Sequence, residues 1–264
     1  MHFFRQAIFH LIIWGFSSAL QAAQPEELTF CHEDQDSFPW VMKDGTGLNL
    51  EMMRLLEREL EIRIHLVALP WPRCMSFLQS NPNIDGAFAS SFRPERLTVG
   101  RYPVTSEGEL DSSLRLHISG YSLYRRKGTD VDWDGEQFIG LNGSIDTQSG
   151  FSIIDLLNQH GLSIDAGSNN PEAVLFKLAT GRTQAAALQT FRGDNLLSSN
   201  PDIARYVEKT AIPLEEKPYY LMLSFGMLDT FPEFSQKIWK TMAEIRESEE
   251  FQLIEHDYLQ QYAE

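Results

Sequence analysis

The order strand, helix, strand, helix, strand can be read twice along this chain, and it restricts the fold more than any single motif. In the first unit Leu28–Cys31 reads as a strand. Leu48–Leu60 then carries Leu48, Met52, Leu55, Leu56 and Leu60 near helical spacing. Ile62–Val67 alternates as a strand, Pro70-Trp71-Pro72 opens a helix through Leu78, and Ile84–Ala89 is a short buried strand. The second unit runs from a strand at Gln137–Leu141 to an amphipathic helix at Ser152–His160 ended by Gly161, then a strand at Leu162–Ala166. Asn170-Pro171-Glu172 starts a helix to about Thr180, with Asn as N-cap and Pro just inside, and Ala185–Leu188 is a small apolar strand. Such alternation implies parallel sheets with right-handed crossovers.

Two extended runs, Leu114–Arg126 and Pro218–Ser224, separate or follow the units. Two crossings predict two α/β lobes, residues 23–118 with 221–264 and residues 119–220, each a mostly parallel sheet flanked by helices. Glu233–Tyr262 reads as two helices returning to the first lobe.

The first residues stand apart from that pattern. Arg5 precedes an apolar run, Ala7–Phe16, too short to span a bilayer, and small residues follow up to Ala23. This is the shape of a secretory signal peptide over residues 1–22, cleaved after Ala22 or Ala23. The expectation is a periplasmic, soluble monomer with no membrane span after signal cleavage. Loss of Arg5 would take the formal net charge from −15 to −16, which argues against nucleic acid and anionic lipid as partners. The two cysteines, Cys31 and Cys74, fit either a disulfide or two buried thiols. No CxxC or HExxH spacing is present and the seven histidines are scattered, so no metal and no cofactor is expected.

Chemistry concentrates in Ile84–Pro103, where a buried strand ends in Ser90 and Ser91 and continues into Arg93-Pro94-Glu95-Arg96. Hydroxyls and a guanidinium at the carboxyl end of a strand suit an anion, and the planar fork of arginine bonds both oxygens of a carboxylate. Gln189-Thr190-Phe191-Arg192 takes the same place in the second unit.

Gly45–Leu50, Trp71, Ile84-Asp85-Gly86-Ala87, Ser91–Arg96, Tyr102-Pro103, Ala179–Ala187 and Ile254–Tyr258, in this order, resemble the type II periplasmic solute-binding proteins that serve as polar amino-acid receptors of ABC importers (solute-binding protein family 3). The resemblance spans essentially the whole mature chain. It implies two lobes closing on a ligand at their cleft. Arg96 would be the carboxylate-binding residue, Ser91 a donor beside it with Ser90, and Trp71 a cleft aromatic. Phe38 would be a stacking aromatic, with Trp40 open as its alternative, and Glu33 the acid after the first strand. The second lobe departs from the family. Gln189 stands where an aspartate usually holds the ligand ammonium, and Gln148-Ser149-Gly150-Phe151-Ser152 replaces the Gly-Thr-Thr turn, with Phe151 and Ser152 as ligand candidates. A carboxylate ligand is therefore expected, and a standard α-amino acid is not.

The expected function is capture of a small polar, carboxylate-bearing solute for ABC-type import, with a small-molecule ligand and an ABC permease as partners. No nucleophile–base pair is evident, so no enzymatic activity is expected. Two alternatives share the fold: a cyclohexadienyl-dehydratase-like enzyme, for which Glu33 and Glu95 are the only acids near the cleft, and an exported sensory ligand-binding protein.

Overall fold

The computed structural model describes residues 24–260; the expected signal segment lies outside them. The elements run β1 (Glu27–Glu33), α1 (Leu48–Leu60), β2 (Arg63–Leu69), α2 (Trp71–Ser80), β3 (Gly86–Ser91), β4 (His117–Arg126), β5 (Asp132–Trp133), β6 (Phe138–Ile139), β7 (Ser144–Gln148) and α3 (Ile153–Gln159). They continue through β8 (Ser163–Ser168), α4 (Pro171–Ala179), β9 (Ala185–Gln189), α5 (Thr190–Ser199), α6 (Pro201–Ala204), β10 (Val207–Leu223), α7 (Phe225–Thr230), α8 (Pro232–Glu247) and α9 (Glu249–Gln260).

Eight of the strands form one sheet in the order β2-β1-β3-β10-β4-β9-β7-β8. The three strands at each end are mutually parallel, while β10 and β4 run antiparallel between them. Both α/β units are thus present, joined by two antiparallel strands. The 17-residue β10 pairs with β4 along its first part and with β3 along its last part. Tyr219 lies opposite both His117 of β4 and Ser91 of β3, and Tyr121 of β4 lies opposite Gln189 of β9. The carboxyl ends of β3 and β9 therefore meet at mid-sheet, and strand ends of this kind are where open α/β sheets bind ligands.

The strand expected at Gln137–Leu141 is instead the two-residue β6, paired with β5 in a separate hairpin. The sheet strand is β7, whose Asp146, Thr147 and Gln148 are all buried. Its polar side chains meet partners inside the protein: Asp146 lies 3.0 Å from the Lys177 ammonium, and Thr147 donates to the Ala187 carbonyl at 2.8 Å. A strand of that composition carries no apolar run to mark it.

Leu28, Phe30, Leu56, Ile238, Trp239 and Met242 share one buried cluster that packs α1 and α8 on β1. Trp239 Nε1 donates to the Leu221 carbonyl at 2.8 Å, pinning α8 to β10. A second cluster joins α2 and β3 to β4 and β7 through Trp71, Ala87, Tyr121, Ile145 and Tyr220. Cys31 and Cys74 form a disulfide, Cα–Cα 5.7 Å, that ties α2 to β1.

Candidate functional site

Strand ends from both units line one small cavity. The first unit contributes His32, Glu33, Ser37, Trp40, Val41, Trp71, Phe88, Ala89, Ser91 and Arg96; the second contributes Phe151, Ser152 and Gln189; β4 and β10 add Tyr121 and Tyr219. The space open to the centre of a water molecule is about 40 Å³, equivalent to roughly three waters. A wider groove of about 690 Å³ lies between α4 and α6, but it is a surface feature edged by the exposed Phe176 and Tyr206.

Arg96 sits in the short 3₁₀ turn Pro94–Thr98 that follows β3. Only 7% of its surface is exposed. Nη1 donates to the Ser91 carbonyl at 2.6 Å and to the Ser90 and Ser91 hydroxyls at 3.3 and 3.4 Å. Nη2 donates to the Gly150 carbonyl at 3.0 Å, from the opposite unit. The guanidinium lies 5.2 Å from the centre of the Trp71 ring. Its partners are neutral: among the described residues no carboxylate comes within 4.0 Å of it, neither the neighbouring Glu95 nor Asp85. Arg93, three residues earlier, is instead paired with Asp155 of α3.

Ser90 does not line the cavity. Its hydroxyl lies 2.8 Å from the Tyr102 hydroxyl and accepts from Arg96, so it holds the arginine rather than facing the space. Ser91 reaches across the cleft, donating to the Ser152 hydroxyl at 2.8 Å. Gln189 Nε2 donates to the Tyr219 hydroxyl at 3.0 Å, and its Oε1 accepts from Ser37 at 3.4 Å. The floor is therefore a set of neutral hydroxyls and one amide. Burial pushes the Tyr121 and Tyr219 hydroxyls up, so both stay protonated.

Glu33 is at the cavity, but its carboxylate is already engaged. Arg192 Nη2 lies 2.8 Å from Oε2, and Gln148 Nε2 donates to Oε1 at 3.2 Å. Arg192 Nη1 closes the triangle on Gln148 Oε1 at 2.6 Å, and its guanidinium sits 5.3 Å from the Phe151 ring centre. Burial pushes the Glu33 carboxyl up, against the pull of Arg192. Arg192 is 2% exposed. The backbone of α5 can bring it there because residue 193 is glycine: a Cβ would lie 2.2 Å from the Tyr124 hydroxyl, well inside contact.

Of the two loop aromatics, Trp40 lines the cavity and Phe38 does not. Phe38 lies outside the cavity and stacks with Tyr258 of α9, ring centres 6.2 Å apart. Trp40 lies flat on His117 at 3.6 Å, and His117 lies against Tyr219 at 5.2 Å. His117 Nδ1 bonds Asn49 Oδ1 at 3.1 Å. Burial lowers the His117 pKa to about 3 and also lowers that of His32, so both rings are neutral at pH 7.

Arg96, Ser91, Trp71, Glu33, Gln189, Phe151 and Ser152 are thus brought together, with Ser90 behind them. Reasoning from sequence missed Tyr121, Tyr219, Arg192 and Gln148. Tyr219 lies in the extended run Pro218–Ser224, and only the register of β10 shows that a residue of that crossing faces the cavity. Among the described residues no group of His, Cys, Asp and Glu could hold a metal ion, and no helix is long and apolar enough to cross a membrane.

No family model matches the sequence. No curated protein matches it either. Solved structures do. The GluR0 ligand-binding core from Nostoc punctiforme, in complex with L-glutamate, is 18% identical at TM-score 0.68, over 88% of this chain and 98% of that one. A histidine kinase sensor domain with similarity to periplasmic binding proteins is 15% identical at TM-score 0.70, over 88% and 96%. A putative binding component of an ABC transporter from Wolinella succinogenes, complexed with lysine, is 15% identical at TM-score 0.67, over 87% and 94%. With one mixed sheet whose two parallel ends bring their strand ends to a single cavity, the chain has the two-lobed α/β fold of type II periplasmic binding proteins.

Proposed function

We propose that the protein is an exported solute-binding protein of the amino-acid-receptor type, which captures a small carboxylate-bearing solute between its lobes and passes it to an ABC permease. The lobes are residues 23–118 with 221–264, and 119–220. One observation carries the reading: Arg96 is a buried guanidinium whose partners are all neutral, at a cavity walled by Trp40, Trp71 and Phe151. A buried cation without a counter-ion is costly, and a carboxylate ligand would supply one. Similarity to an ABC binding component supports the import role. Binding without turnover is favoured because the cavity's carboxylate, Glu33, is committed to Arg192 and Gln148 and offers no free acid to a leaving group.

The test is calorimetric titration and thermal unfolding of the mature chain with small carboxylates. Binding should raise the unfolding midpoint, since the ligand stabilises only the folded state, and Arg96→Ala should abolish the rise. A set of carboxylates without effect, or an Arg96→Ala variant of unchanged affinity, would refute it. Similarity to a kinase sensor domain supports a second reading, an exported sensor. Uptake of the labelled ligand by cells with and without this protein separates the two: a sensor leaves uptake intact.

A further inference from the structure

Charge balance at the cavity says more about the ligand than the presence of Arg96 alone. Among the described residues lining the space, Arg96 is a cation and Glu33 is the single carboxylate. Both oxygens of Glu33 are taken, Oε2 by Arg192 and Oε1 by Gln148. Arg192 comes from the opposite unit, is buried, and is itself held by Gln148. Glu33 and Arg192 therefore cancel, and the space retains the single positive charge of Arg96.

A ligand that brings both a carboxylate and an ammonium would neutralise Arg96 and then bury a second cation. That cation would find no free carboxylate, and it would compete with Arg192 for the one that exists. Burying an unpaired charge costs far more than burying a hydrogen-bonded neutral group. What the cavity does offer beside Arg96 is uncharged: the hydroxyls of Tyr121, Tyr219 and Ser152 and the amide of Gln189. These match a hydroxyl or a carbonyl oxygen.

We infer that Arg192 is a specificity-determining residue which, by neutralising Glu33, restricts the site to small carboxylates without a charged amine, such as hydroxy or keto acids. This rests on the carboxylate reading of Arg96 and narrows it.

The experiment is a set of matched pairs that differ only in hydroxyl against ammonium: glycolate and glycine, lactate and alanine, malate and aspartate, phenyllactate and phenylalanine. Each is titrated calorimetrically into the mature chain at neutral pH. At least one hydroxy acid is expected to bind, with its amino partner weaker by about 100-fold, the scale of an uncompensated buried charge. Arg192→Gln releases Glu33 and should narrow that gap to about tenfold or less, through a gain by the amino acid. Arg192→Lys keeps a cation on Glu33 and should keep the gap. An amino acid that binds the wild-type chain as tightly as its hydroxy partner overturns the inference and leaves the carboxylate reading standing. Failure of every carboxylate in the set overturns both. Should Arg192→Gln fail to fold, the wild-type pairs decide alone.

Discussion

Arg192 of α5 and Glu33 of β1 are 159 positions apart in sequence and 2.8 Å apart in space, and their side chains are only 2% and 12% exposed. Removing one partner of such a pair strands the other. Arg192→Met should cost about 3–5 kcal/mol of unfolding free energy. Adding Glu33→Leu to it should restore much of the loss, because the stranded carboxylate is gone. Urea unfolding of the two single variants and the double variant measures the coupling. Additive losses would show that the pair does not interact.

Arg96 makes a different prediction, visible only with ligand. Any carboxylate that binds at 100 times its dissociation constant should stabilise the wild-type chain by about 2.7 kcal/mol. Arg96→Ala should remove that increment, and Arg96→Lys should keep part of it, since a point charge replaces a two-pronged donor. Thermal midpoints with and without the carboxylate report it.

His117 predicts an acid-sensitive fold. Its folded value, about 3, lies below the ordinary 6.5, because burial disfavours the imidazolium. The unfolded chain therefore takes up the proton first. Stability from this residue is whole above about pH 6.5 and is lost as pH falls towards 3, at up to about 1.4 kcal/mol per pH unit. His117→Phe keeps a flat ring between Trp40 and Tyr219 and should flatten the pH dependence of the denaturant midpoint over that window. An unchanged slope would rule His117 out as its source.

The Cys31–Cys74 bridge closes a loop across a sequence separation of 43. In the chain-entropy treatment a loop of that length is worth about 4 kcal/mol. The paired replacement Cys31→Ser with Cys74→Ser should lower stability by that order, and a reducing agent should lower the wild-type midpoint but not that of the variant.

Apolar periodicity made most of the fold legible: α1, α2, α4 and the strands β1, β3 and β9 follow from spacing and caps. It failed at β7, because a strand that buries Asp146, Thr147 and Gln148 through partners far along the chain has no local signature. The site divides in the same way. Ser91 and Arg96 follow a strand end and can be placed from it. Glu33 can be placed too, but its engagement by Arg192 depends on how two units meet, and Gly193 against Tyr124 is what sets that approach. Phe38 and Trp40 lie two residues apart in one loop, and only tertiary packing decides which of them faces the ligand space.

The two units are connected by hydrogen-bonded strands rather than by slack chain, and this governs how the cleft can open. The pairing of β10 with β4 slips around Pro213, between Lys209 and Glu215, and its pairing with β3 slips again between Tyr220 and Met222. Between those slips the ladder from Glu215 to Tyr219 is regular. Where its register is broken, such a ribbon loses ladder hydrogen bonds, bends and takes up extra twist. Opening would then be a twist concentrated at the two slips, turning one unit about the long axis of β10 and drawing Tyr219 with it. Amide exchange should accordingly be faster at the slipped positions than along Glu215–Tyr219, and uniform protection along the strand would exclude such a swivel.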